Sequence, residues 1–124
     1  MKALLVTLFT ATAALTLSDA YGHGSTKPEH GGIVKVVGET VFELVPLDKG
    51  ADVYLKEEDE KLDTAEMSGK LTVTVNDAKS EAALVPAGDN KLTAKDASLP
   101  SGAKVTVFVV RKDQTKIAAT FQIK

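Results

Sequence analysis

Lys70-Leu71-Thr72-Val73-Thr74-Val75-Asn76-Asp77 decides the fold class. Leu71, Val73 and Val75 alternate with Thr72, Thr74 and Asn76, the two-residue period of a half-buried β-strand. Asn76-Asp77 then supplies two residues that turn the chain at low cost, and Ser80 to Val85 returns it. The same grammar repeats downstream. Pro86-Ala87-Gly88-Asp89-Asn90 is a turn cluster, Lys91 to Ala94 a short strand, and Leu99-Pro100-Ser101-Gly102 another turn. Lys104 to Val110 is apolar on both faces and reads as a central strand. Arg111 to Gln114 is a polar hairpin tip. Ile117, Ala119, Phe121 and Ile123 alternate with Ala118, Thr120, Gln122 and Lys124 in a closing strand.

Upstream, Ile33 to Val37 is a first strand ended by Gly38-Glu39, and Thr40 to Leu47 a second. Phe42 and Leu44 occupy one face of that second strand, and Val41, Glu43 and Val45 the other. Pro46 marks its exit, because proline donates no ladder hydrogen bond. Asp48-Lys49-Gly50 turns into Ala51 to Lys56, where Val53 and Leu55 alternate with Tyr54. Leu62 to Ser68 reads either as a short strand or as a helical turn around Ala65-Glu66-Met67. Turns recurring about every ten residues, with β-branched runs between them, are the mark of an all-β sandwich. The expected fold is an Ig-like antiparallel β-sandwich of about seven or eight strands. An open barrel is the alternative. The paired Cys and core Trp of true immunoglobulin domains are missing.

Ahead of the strands stands a three-part leader. Met1-Lys2 is positive, Ala3 to Leu17 is uncharged and mostly apolar, and Ser18-Asp19-Ala20 places small residues where signal peptidase needs them. The apolar run is too short for a stable membrane span. The sequence therefore predicts a signal peptide over 1–20, a flexible His-containing arm over 21–32 and a β-sandwich domain over 33–124. Export to the periplasm follows, with no membrane insertion after cleavage. A formal charge of −2 and the lack of a basic stripe argue against nucleic-acid binding. With zero Cys, neither disulfides nor thiolate ligands are available.

Both histidines lie in the arm, Tyr21-Gly22-His23-Gly24-Ser25-Thr26-Lys27-Pro28-Glu29-His30-Gly31-Gly32. The sandwich has no His, no G-x-S-x-G elbow, no Gly-rich phosphate loop and no H-E-x-x-H, so the expectation is a non-enzyme. Its aromatics are Phe42, Tyr54, Phe108 and Phe121, at least three of them expected in the core. Glu57-Glu58-Asp59-Glu60 lacks the ligand spacing of a calcium loop and reads as a solvated tip.

Cleavage after Ala20 would put Tyr21 first and His23 third. The terminal amine, two deprotonated amides and the imidazole could then wrap Cu(II) or Ni(II) in a square plane. Cleavage after Gly22 would expose His23 as the first residue, a different chelate. His30 and Glu29 add an imidazole and a carboxylate, and Gly31-Gly32 lets the backbone fold back. That donor set (Tyr21, His23, Glu29, His30) suits Zn(II) or Cu(II). The plain alternative is that both histidines are solvated residues of a mobile terminus.

Glu29-His30-Gly31-Gly32-Ile33-Val34 followed by Gly38-Glu39-Thr40-Val41-Phe42-Glu43-Leu44-Val45 resembles a known opening, H-G-G-x-[VI]-x-x-x-G-x-x-x-[FL]-E-L-V. It occurs in small exported Ig-like proteins associated with heavy-metal efflux, and in the N-terminal extension of periplasmic adaptor subunits of cobalt–zinc–cadmium-type efflux pumps. Val53-Tyr54-Leu55-Lys56, Leu84-Val85-Pro86-Ala87-Gly88-Asp89-Asn90-Lys91-Leu92 and Gly102-Ala103-Lys104-Val105 are similar to later segments of that group. The resemblance implies metal handling in the periplasm, His30 as a ligand and an efflux adaptor as partner. His23 lies outside the shared motif, and the histidine often found beside the acidic tip is replaced by Glu57 to Glu60. The expected function is thus Cu(II) or Zn(II) binding or buffering. Two rivals are an Ig-like interaction module that adds a strand edge to a partner's sheet, and a copper-dependent oxidase built on an N-terminal histidine.

Overall fold

The computed structural model describes residues 27–124; the segment 1–20 expected to be a signal peptide, Tyr21 and His23 lie outside the described residues. Those described form nine strands and no helix: β1 (Ile33–Val37), β2 (Thr40–Leu47), β3 (Gly50–Glu57), β4 (Glu60–Lys61), β5 (Ser68–Val75), β6 (Ala78–Pro86), β7 (Lys91–Lys95), β8 (Lys104–Val110) and β9 (Lys116–Gln122). Every pairing is antiparallel. The protein is an all-β antiparallel sandwich, as the strand pattern implies. The ninth strand, β4, is a two-residue extension pairing β3 and is too short to show a period in the sequence.

One layer is β1-β2-β3-β7 and the other β6-β5-β8-β9. β6 belongs to both: it pairs β5 along residues 78–84, then Val85 and Pro86 pair β7. This crossing strand, together with the approach of β1 to β9, brings the sandwich close to barrel closure.

Tight turns set the registers. Asn76 and Asp77 both take positive φ, 50° and 69°, between Val75 and its partner Ala78. Glu58 and Asp59 do the same, at 51° and 72°, between Glu57 and Glu60. Two left-handed residues in a two-residue loop match the right-handed twist of the flanking strands. Their side chains, like that of Glu60, are exposed at the tip. The β5–β6 turn takes only two residues, so β6 starts at Ala78, two residues earlier than its apolar pattern suggests. Ala78 to Glu81 are all exposed and carry no alternation to read.

The core lies between the layers. Phe42 and Leu44 from β2, and Val53 and Leu55 from β3, face Leu71 from β5 and Val105, Val107 and Val109 from β8, all fully buried. Each such side chain contributes about 1.5–3 kcal/mol on leaving water. Two of the four aromatics sit there, Phe42 and Phe121. Phe108 corrects the expectation of three. It alternates with Val107 and Val109, so it points away from the core and is only half-buried. Tyr54 lies likewise on the outer face of β3.

Residues 62–67 form a turn, neither strand nor helix. Ala65 N–H donates to Asp63 Oδ1 at 2.9 Å and Met67 N–H to the Thr64 carbonyl at 2.9 Å. Buried Thr64 donates through Oγ1 to the Lys91 carbonyl at 2.8 Å, fastening this connection to the start of β7. Asn90, also buried, donates Nδ2 to the Leu55 carbonyl at 3.0 Å, so the Pro-Ala-Gly-Asp-Asn turn is locked to β3.

Candidate metal centre

On the outer face of β2 one charged residue, Glu43, stands between Val41 and Val45. Across the ladder its neighbours are Val34 on β1 and Tyr54 on β3. A glutamate there should be solvated, yet only 5% of it is exposed, because the chain preceding β1 folds back over it. Two glycines permit that fold. Gly31 adopts φ +74°, a region open to glycine and costly for other residues. At Gly32 a Cβ would sit 2.4 Å from the Leu44 carbonyl oxygen, so only glycine lets the backbone lie this close to β2.

The returning backbone aims its donors at the carboxylate. Glu29 N–H donates to Oε1 at 3.1 Å; His30 and Gly32 N–H donate to Oε2, each at 2.8 Å. Such a nest of backbone donors is a general way to hold an anion. Burial alone would raise the Glu43 carboxyl pKa. The hydrogen bonds from Gly32 N–H, the His30 ring, His30 N–H and Glu29 N–H outweigh burial and hold it below its ordinary 4.5.

His30 is held from two sides. Its Nδ1 lies 3.1 Å from Glu43 Oε1, and its ring stacks on Tyr54 with centroids 3.6 Å apart and planes 5° from parallel. An ionised carboxylate can only accept, so this network assigns the proton to Nδ1. In a neutral imidazole Nε2 then keeps its lone pair. The side chain as a whole is 37% exposed.

Glu29 is beside it but engaged: Oε2 pairs with Lys56 Nζ at 2.7 Å. The structure thus brings Glu29 and His30 together on the β2–β3 face, while Tyr21 and His23 lie outside the described residues. Among the described residues no group of three His, Cys, Asp or Glu side chains is arranged for a metal. What they supply is one oriented imidazole nitrogen, with a carboxylate nearby that is available only on leaving Lys56.

Glu43 and Tyr54 are the members that sequence reasoning did not assign to the site. The available signal was the lone charge between Val41 and Val45, on a face otherwise apolar over that stretch. An alternation pattern reads such a residue as outward and solvated; it cannot show that the N-terminal segment lies across it.

Comparison with protein-family models, with curated proteins and with solved structures finds no match. No described helix is long and apolar enough to cross a membrane.

Proposed function

We propose that this protein is a non-enzymatic periplasmic binder or buffer of a divalent transition metal, Cu(II) or Zn(II), which it holds itself or passes to a heavy-metal efflux adaptor. The observation that carries the reading is the state of His30. Its ring stacks on Tyr54, Nδ1 is committed to a buried carboxylate, and in the neutral ring Nε2 keeps its lone pair on a partly exposed side chain. A carboxylate behind the second nitrogen of a ligating histidine is the usual support of a metal-bound imidazole. One imidazole is a weak site. The remaining donors in this proposal are His23, the Tyr21 amine if cleavage follows Ala20, and Glu29 once released from Lys56. Borderline nitrogen and oxygen donors of this kind suit Zn(II) and Cu(II) and suit Cu(I) poorly. Similarity of the H-G-G opening to efflux-associated proteins supports the same conclusion.

Isothermal titration of the processed protein with Zn(II) and Cu(II) at neutral pH tests it, using His30→Ala, His23→Ala and the double variant. The expected result is binding by the wild type, weakened in each single variant and lost in the double one. Equal uptake by wild type and double variant, or none by the wild type, overturns the proposal.

A further inference from the structure

Glu43 is a buried, ionised side chain whose partners all come from the segment that carries the proposed ligand. Three backbone N–H groups and one imidazole nitrogen converge on its two oxygens, from residues 11 to 14 positions earlier in the chain. The fourth contact has a chemical consequence, because it settles which imidazole nitrogen holds the proton. A histidine free in water favours the proton on Nε2, and in that form Nε2 cannot bind a metal without losing it.

We infer that Glu43 is the positioning residue of the metal centre, fixing His30 with its proton on Nδ1 and so presenting Nε2 to the ion. This rests on the metal-binding reading above. Tyr54 completes the arrangement: the ring is stacked 5° from parallel at 3.6 Å, which fixes its plane, while the bond from Nδ1 to Glu43 selects which of the two flipped orientations it takes. The site is thus preorganised in the tautomer and orientation a metal requires, and binding needs neither proton transfer nor ring reorientation at this ligand. Glu43 never touches the metal in this arrangement; it acts through His30.

The test uses Glu43→Gln, which preserves volume. A glutamine offers one acceptor oxygen to four donors and adds an N–H₂ of its own, to which Nδ1 can become an acceptor. Two measurements are made at neutral pH on the protein as the cell processes it. The first is heteronuclear NMR of the His30 ring nitrogens in the metal-free wild type and the variant. The second is titration of both with Zn(II), with circular dichroism reporting that the variant is folded. The expected result is an Nδ1–H ring in the wild type, a shift toward Nε2–H in the variant, and a loss of Zn(II) affinity on the order of 10–100-fold, the usual effect of removing such a support. A wild-type ring protonated on Nε2 overturns the inference whatever the variant does, including a variant that fails to fold. Equal Zn(II) affinity in a folded variant also overturns it, while leaving metal binding itself intact. A wild type that takes up no metal, with the Nδ1–H ring present, overturns the functional proposal and this inference with it.

Discussion

Glu43 shows what a single residue contributes when its partners are assembled around it. A buried carboxylate without hydrogen bonds is costly, and here four donors offset that cost. Its pKa is depressed in the folded state, so the stability it contributes is fully present above its ordinary value of 4.5 and is lost as pH falls through the folded value. Wild type should therefore lose stability as pH falls below 4.5, where Glu43→Gln, which has no such proton to gain, loses less. Melting temperatures of the two proteins across this range check it. Parallel curves would remove Glu43 as a source of acid sensitivity. The reason lies outside β2: alternation made Glu43 outward-facing, and only the backbone of Glu29 to Gly32 makes it buried.

At the scale of elements, the alternation in β5 is a direct map of burial. Leu71 and Val73 face the core, while Lys70 is exposed and the threonines are half-buried. Leu71→Ala should destabilise the protein by about 2–5 kcal/mol, the range for a large apolar side chain deleted from a packed core. Glu81→Ala on the adjacent strand removes only an exposed pair with Lys70, 3.4 Å apart, and should change stability by less than about 1 kcal/mol. Urea denaturation of both variants measures the contrast; comparable losses would mean that β6 bears more of the packing than its exposure allows. Turns were legible where two left-handed residues were needed, as at Asn76-Asp77. The segment from Leu62 to Met67 was not, because a buried threonine hydrogen-bonded to the carbonyls of Asp89 and Lys91 has no local periodic signature.

For the whole molecule, the decisive feature is the sharing of β6 between layers. Neither layer can separate without breaking pairs in β6, and the core side chains of each pack against the other. Arg111, just past β8, adds a tie across the layers, its Nη2 donating to Thr40 Oγ1 at 2.7 Å and Glu57 Oε2 at 3.2 Å. Denaturant unfolding should accordingly be one cooperative transition, with far-ultraviolet circular dichroism and tyrosine fluorescence giving coincident curves. Separated midpoints would show that the layers unfold independently. Near closure also bears on the strand-addition rival, since β1 and β9, the two ends of the strand path, run beside each other.

The period-two runs and the turn residues between them were enough to determine an all-β protein and most of its strands, because alternation and turn chemistry are local properties of the chain. The order of the strands, the double membership of β6 and the outward placement of Phe108 were decided by packing between segments distant in sequence. The same holds for the site. Its histidine and glycines are visible in the sequence, but the carboxylate that orients the ring and the tyrosine that carries it are brought there by the β1–β2–β3 ladder and the folded-back segment above it. Hydrogen bonds spanning 11 to 14 residues leave no local pattern to read, so only the tertiary structure could reveal them.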